Sequence, residues 1–378
     1  MGLAASASQS SDSPYSRWPN GPSASANFFP IGVWLQSPNH VAEFKGLGIN
    51  MFVGFWGDLD QTSLEMFARG TMPLIPTQNS VGLTAPQNRA VVGWSQRDEP
   101  DNAQHKAIFG FRSCQTPSQI VSSYDAIKAQ DTTRPVLLNF GRGVSDTTWI
   151  GRGSCIGQTT GYYPLAVTGG DIISFDVYPV ASYDGRLEMV ANGLDNLKTW
   201  IAMSGTGKII WNAIEAVPIS SGAVPTASQE RAEVWMSLIH GSQGLIYFVS
   251  QFDADGRKLV REDGVFNFPA LAHAVGLVNA RIAALAPVLN SPTITSGVSV
   301  ESPEATPIST LVKRHNGSTY VFAVAMRNNP GTASFTLPDI HTGIVEVLDE
   351  NRELSLSGGV FKDDFAGYDV HLYQVRAK

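Results

Sequence analysis

The chain has 378 residues, 43% hydrophobic and 16% charged, with a net charge of −7. That is enough to bury one large core and a smaller one. Lys and Arg form no runs, so the basic footprint of a nucleic-acid binder is missing, and no stretch of about 18 apolar residues predicts a membrane span.

The first 26 residues, "MGLAASASQSSDSPYSRWPNGPSASA", are rich in Ser, Ala, Pro and Gly and read as a flexible N-terminal segment. They lack the charged start and apolar middle of a signal peptide, which suggests a mature N-terminus with an added Met, hence a secreted or periplasmic protein. From Phe28, eight apolar runs follow: 28–36, 49–56, 72–79, 91–99, 134–141, 171–180, 208–217 and 244–252. They carry Ile, Val, Phe and Leu on both parities, as strands covered on both faces do. Helical patterns lie at 117–131, 187–204, 227–243 and 268–289. Alternation of strand and helix eight times in about 265 residues predicts an α/β fold, a (β/α)₈ TIM barrel over 27–290, with a doubly wound sheet as competitor. No GxGxxG or GxxxxGK[ST] follows a strand, so no nucleotide cofactor is implied. After Asn290 the runs become short, alternating and separated by Gly, Asn, Asp or Pro turns, which predicts a small all-β sandwich domain over 291–378.

Cys114 and Cys155 sit in no CxxC and the seven histidines form no HxxxH pair, so no metal site is expected. A disulfide between two surface loops is the preferred reading of the two cysteines. The 142–170 connection is too glycine-rich and aromatic for a plain linker and reads as a cleft wall pinned by Cys155.

A TIM barrel builds its active site where the strands end. The polar residues closing the runs are Trp34 and Gln36, Trp56, Gln78 and Asn79, Asp98 and Glu99, Asn139, Asp176 and Tyr178, Glu215, and Ser250 and Gln251. Glu215 interrupts an apolar strand, where a carboxylate without a partner costs several kcal/mol; it should be paired at the rim, exposed at the mouth, or functional. Glu99 has a plain alternative as the start of a helix, with Asp98 as N-cap and Pro100 in the first turn. Two glutamates on strands four and seven together are harder to dismiss.

With "RDEPDN" at 97–102, "WNAIEA" at 211–216 and "TASQERAEVWMSLIHGSQGLIYF" at 226–248, the chain resembles clan A of the glycoside hydrolases, retaining (β/α)₈ enzymes. The closing "GIVEVLDENRELSLSGGVFKDDFAGYDVHLYQVR" is similar to the β-sandwich that often follows such barrels. The resemblance implies Glu99 as acid and then base, and Glu215 as nucleophile, roughly 5 to 5.5 Å apart. It also implies an oligo- or polysaccharide substrate and no cofactor. Glu99 would be raised by the charge of Glu215, and Glu215 held ionised by Tyr178 and Arg97. Asp98 stands where the clan usually has an Asn that bonds a sugar hydroxyl. If Asp98 is ionised, only acceptors remain there.

Trp34, Asp98, Asn139, Tyr178 and Gln251 complete the expected substrate site, with Trp56 the foremost stacking platform. Trp94, Trp149, Tyr162, Tyr163 and Tyr183 are further candidates for stacking, or ordinary packing residues. The competing function is a non-catalytic carbohydrate-binding or scaffold protein on a glycosidase fold; inverting or transglycosylating chemistry is a third possibility.

Overall fold

The structure is a computed structural model in which residues 13–103, 106, 110–153, 155, 161–219, 222–253 and 258–377 are described. Nine short strands come first: β1 (Ile31–Trp34), β2 (Met51–Val53), β3 (Leu74–Ile75), β4 (Trp94–Ser95), β5 (Val136–Phe140), β6 (Ile172–Phe175), β7 (Ile209–Ile210), β8 (Asn212–Glu215) and β9 (Leu245–Phe248). They form two parallel arcs, β3-β2-β1-β9-β8 and β4-β5-β6-β7. Trp211 alone separates β7 from β8, so the seventh apolar run belongs to both arcs. Parallel bridges Leu74–Val91 and Thr77–Ser95 tie β3 to β4, and Asp176–Ala213 ties β6 to β8. This arrangement fits a (β/α)₈ barrel.

Strand alternation divides the core in two. Met51, Val53, Ile75, Val92, Leu137, Ile172, Ile209, Trp211, Ala213 and Ile246 make one inner cluster. Leu138, Phe140, Ile173, Phe175, Ile210 and Ile214 join the cluster packed against the surrounding helices.

Those helices are α1 (Val41–Gly46), α2 (Gln61–Arg69), α3 (Ser80–Thr84), α4 (Pro117–Gln130), α5 (Tyr162–Ala166), α6 (Pro179–Ser182), α7 (Glu188–Ser204), α8 (Ala227–Ile239) and α9 (Pro269–Leu289). The starts of α4 and α8 are written locally. Thr116 with Gln119, and Thr226 with Gln229, form capping boxes that satisfy otherwise orphaned N–H groups. Among the described residues one helix, α9, is long and apolar enough to cross a membrane. Its Leu271, Val275, Val278, Ile282, Leu285 and Leu289 are buried, so its apolar character serves the core.

The segment expected to be loose is packed over residues 13–26; residues 1–12 lie outside the described residues. Tyr15 and Trp18 are buried in the inner cluster. The Tyr15 hydroxyl donates to the Gln243 carbonyl (2.8 Å) and accepts from Trp211 Nε1 (2.8 Å). Asn20 N donates to the carbonyl of Thr133, just ahead of β5. The segment thus closes the end of the strands opposite the candidate site, and two aromatic rings supply the burial that composition averaging hides.

The remaining strands are a hairpin, β10 (Gln251–Phe252) and β11 (Leu259–Arg261), and then β12 (Ser299–Glu301), β13 (Ile308–His315), β14 (Ser318–Ala325), β15 (Gly331–Thr336), β16 (Thr342–Val347), β17 (Arg352–Ser357), β18 (Val360–Phe365) and β19 (Val370–Ala377). β12–β19 form an antiparallel sheet in the order β12-β15-β18-β17-β16-β19-β14-β13, a sandwich-like domain with its own core around Phe335, Phe361 and Tyr373. Its other face is continuous with the helical layer. Leu311, Phe322, Val324, Val370 and Leu372 share the barrel's outer cluster, and Trp235 of α8 meets Phe322 at 5.2 Å between ring centroids.

Candidate active site

Alternation carries polar side chains into the mouth at the strand ends. Ile172 is in the inner cluster, so Ser174 and Asp176 continue the same face; Leu137 likewise leads to Asn139, which is in register with Ser174. The Ser174 hydroxyl donates to Asn139 Oδ1 (2.8 Å), which orients the amide so that Nδ2 faces two carboxyl groups. Asn139 Nδ2 donates to Asp98 Oδ1 (3.0 Å) and to Asp176 Oδ1 (3.1 Å). Two acceptors of one nitrogen lie no more than about 6 Å apart. At that separation and an effective dielectric constant near 20, two full charges repel by about 3 kcal/mol.

Glu99 follows in a left-handed conformation, φ +41°. Its carbonyl accepts from Asn102 N (3.0 Å), closing a turn at "EPDN"; no helix follows until α4, so the helix-start reading is not realised. The turn aims the carboxylate back over β5. Asn102 Nδ2 (2.9 Å) and Arg152 Nη2 (3.3 Å) donate to Glu99 Oε2. Oε1 lies 2.7 Å from where a Cβ on Gly141 would stand, so any larger residue there would push the Glu99 carboxylate from this position. Asp101 accepts from Gly141 N (2.9 Å) and from the Tyr163 hydroxyl (2.7 Å).

The acids crowded beside Glu99 are Asp98, Asp101 and Asp176. Burial, then the charge of Glu99, pushes Asp98 up to about 7. Burial outweighs the hydrogen bonds to Asp101 and pushes it up to about 6. Asp176 is pushed well above the usual carboxylate range by burial and by the charges of Glu99 and Asp98.

Glu215 continues the inward series Ile209, Trp211, Ala213 and is fully buried. Its partners differ from those expected. Oε1 accepts from Val180 N (2.5 Å) and Oε2 from Ala181 N (3.2 Å), both in the α6 turn, while Tyr178 interacts with Asp176 instead. A backbone turn takes the place expected of Tyr178 and Arg97 because Pro179 starts α6 with three residues between it and β6, and the free N–H groups that follow it face the neighbouring strand. Burial still pushes Glu215 up to about 7 against those two bonds. Behind it, Glu230 and Glu233 on α8 are fully buried, without hydrogen-bond partners among the described residues, and burial pushes both well up.

Trp56, 39% exposed beyond β2, remains available for stacking, and Trp34 is partly buried against the inner cluster. Gln251 lies in the β10–β11 hairpin, where its Oε1 accepts from Asn267 Nδ2 (2.7 Å). Trp94 is a core residue: its Nε1 donates to Asp131 (2.9 Å). Tyr163 is buried, stacked on Trp200 at 4.4 Å. Tyr162 donates to the Gln115 carbonyl and Tyr183 to Asp146, while Arg142 lies over the Trp149 ring. The 142–170 connection contributes Arg152 and Tyr163 to the acidic turn, and Cys155 is bonded to Cys114 with Cα atoms 5.4 Å apart.

The raised carboxyl groups set a direction for stability against pH. Asp98, Asp101 and Glu215 keep their protons in the folded chain at pH values where the unfolded chain, with carboxyl pKa near 4, has lost them. Their contribution is complete below about pH 4 and is lost as pH rises through 6 to 7. The carboxylates held low, such as Asp131 and Asp369 at about 2, already contribute fully above pH 5. Thermal melts should therefore show Tm falling by several degrees between pH 5 and pH 8. A flat or rising Tm would contradict the burial of these groups.

No protein-family model matches the sequence, and neither does any curated protein. Solved structures do match. AmyP in complex with maltose superposes with a TM-score of 0.54 at 8% identity, covering 93% of this chain and 97% of that one. The noncanonic maltogenic α-amylase AmyB from Thermotoga neapolitana gives 0.51 at 10% identity, covering 93% and 99%. The chain has the fold of these glycoside hydrolases, a barrel followed by a β-domain.

Proposed function

We propose that the protein is a retaining glycoside hydrolase of clan A type, acting on an oligo- or polysaccharide in a secreted or periplasmic setting. The observation that carries the reading is the pair of glutamates closing the fourth and seventh strand runs of a fold shared with glycoside hydrolases. The solved neighbours include complexes with maltose and with maltotriose.

In the proposed first step, a Glu215 oxygen attacks the anomeric carbon. The glycosidic C–O bond breaks, and its electron pair takes the proton of Glu99. In the second step Glu99 removes a proton from water, which displaces the sugar from Glu215. Arg152 and Asn102 hold Glu99 in place, while the N–H groups of Val180 and Ala181 stabilise Glu215 as an anion. Each Glu215 oxygen accepts one N–H from the α6 turn and keeps a further lone pair for the attack.

The sealed position of Glu215 favours a second reading, a non-catalytic carbohydrate-binding protein on the same fold. A screen of aryl glycosides and polysaccharides, with wild type and Glu215→Ala in parallel, separates the two. Turnover by wild type alone supports the enzyme. Saccharide binding without turnover supports the binder.

A further inference from the structure

The mouth contains a carboxyl pair that the two-glutamate chemistry does not use. We propose that Asp98 and Asp176, joined through the Asn139 amide, hold a single proton between them, and that this protonated carboxyl donates a hydrogen bond to a hydroxyl of a neutral saccharide bound at the mouth. The saccharide part rests on the glycosidase reading; the shared proton does not.

The geometry gives three reasons. The Asn139 Nδ2 group, oriented by Ser174, donates one hydrogen to each carboxyl, so both Oδ1 atoms are fixed as acceptors around one nitrogen. The carbonyl-type oxygen is the better acceptor, so the contacts from Nδ2 favour a proton on the outer oxygen of either carboxyl. The groups facing the pair are predominantly acidic: Glu99 and Asp101 bear on both members and the Tyr178 hydroxyl on Asp176. The nearby cation, Arg152, is engaged with Glu99. Ionising both members would place three carboxylates with Asp101 in one partly closed mouth, and a fourth once Glu99 has given up its proton, an arrangement relieved by keeping one proton on the pair. Both acids are displaced upward, which opposes ionisation of both members at neutral pH.

The pair explains how an aspartate can serve at position 98. An ionised Asp98 only accepts; a pair with one proton offers both a donor and an acceptor, as an amide does. Such a mouth also disfavours a uronate, whose charge would meet Asp101 and the remaining charge of the pair.

Two measurements test this. First, carbon-13 NMR of aspartate carboxyls in the free full-length protein, assigned with Asp98→Asn and Asp176→Asn, should show one of the two groups still protonated at pH 6.5. In each variant the remaining aspartate should titrate at least one pH unit lower. Both groups ionised at pH 6.5 would overturn the shared proton, whether or not any glycoside is hydrolysed. Second, the kcat/KM ratio between pH 8.5 and pH 5.5 should be measured on the dinitrophenyl glycoside turned over in the screen. The ratio should be at least tenfold higher in Asp98→Asn than in wild type, mainly through KM, because the amide donates at every pH. An unchanged ratio would overturn the donor role. If the screen finds no turnover, the glycosidase reading fails and the saccharide role with it, while the NMR result still decides the shared proton.

Discussion

Glu215→Ala is expected to abolish hydrolysis of every glycoside, natural or activated, with kcat falling by on the order of 10³ or more, the scale on which a positioned nucleophilic carboxylate contributes. The loss is independent of the leaving group because the missing bond is the one to the anomeric carbon. The substitution also leaves the N–H groups of Val180 and Ala181 without their acceptor. A circular dichroism spectrum and a melt must therefore accompany the assay. Glu215→Gln, which keeps an oxygen acceptor for one of the two donors, serves as the second variant. Stable, folded protein with near-normal turnover in either variant would remove Glu215 from the chemistry.

Glu99→Ala should fail differently. Natural and alkyl glycosides, whose leaving oxygen needs a proton, should lose activity by a factor on the order of 10² to 10⁴, the usual contribution of a positioned general acid. A dinitrophenyl leaving group needs no proton, so formation of the glycosyl-enzyme should persist. Added azide, which needs no general base, should restore turnover. The configuration of the product assigns the residue: azide that attacks the glycosyl-enzyme of a missing acid/base gives a glycosyl azide of retained configuration, whereas azide that replaces a missing nucleophile displaces the leaving group once and inverts it. Equal losses on both kinds of substrate would assign Glu99 a structural role, since it also anchors Asn102 and Arg152.

Much of this site is legible in the sequence, for identifiable reasons. Strand runs covered on both faces announce themselves by apolar residues on both parities, and the capping boxes at Thr116 and Thr226 place two helix starts within a residue. The glutamates at 99 and 215 stand out because charge at the end of a buried strand is costly. Asp176 stands among the strand-end candidates of the sequence, and Ile172, Ser174 and Asp176 alternate onto the inner face, two strands from the run that ends in Asp98. What pairs them is the amide of Asn139, a contact between three strands that no local pattern encodes.

Other features lie beyond local reading. Arg152 reaches Glu99 from a connection 53 residues on, and the donors to Glu215 are backbone N–H groups, which carry no side-chain signature. The N-terminal segment misleads because its Ser, Ala, Pro and Gly suggest a loose chain, while the buried rings of Tyr15 and Trp18 and the bond from Asn20 N to the Thr133 carbonyl anchor it under the barrel. Trp94 and Tyr163 look like stacking platforms by position, yet hydrogen bonds to Asp131 and Asp101 and full burial commit them to the scaffold.

The central claim is that Glu215 forms a covalent bond to the sugar and Glu99 governs its release. Mass spectrometry of Glu99→Ala, quenched during reaction with a dinitrophenyl glycoside, tests both halves at once. The account predicts one glycosyl unit added to the protein, mapped to Glu215, because attack proceeds and the base that activates water is missing. Turnover of that substrate with no adduct, or an adduct on Asp98 or Asp176, would contradict it.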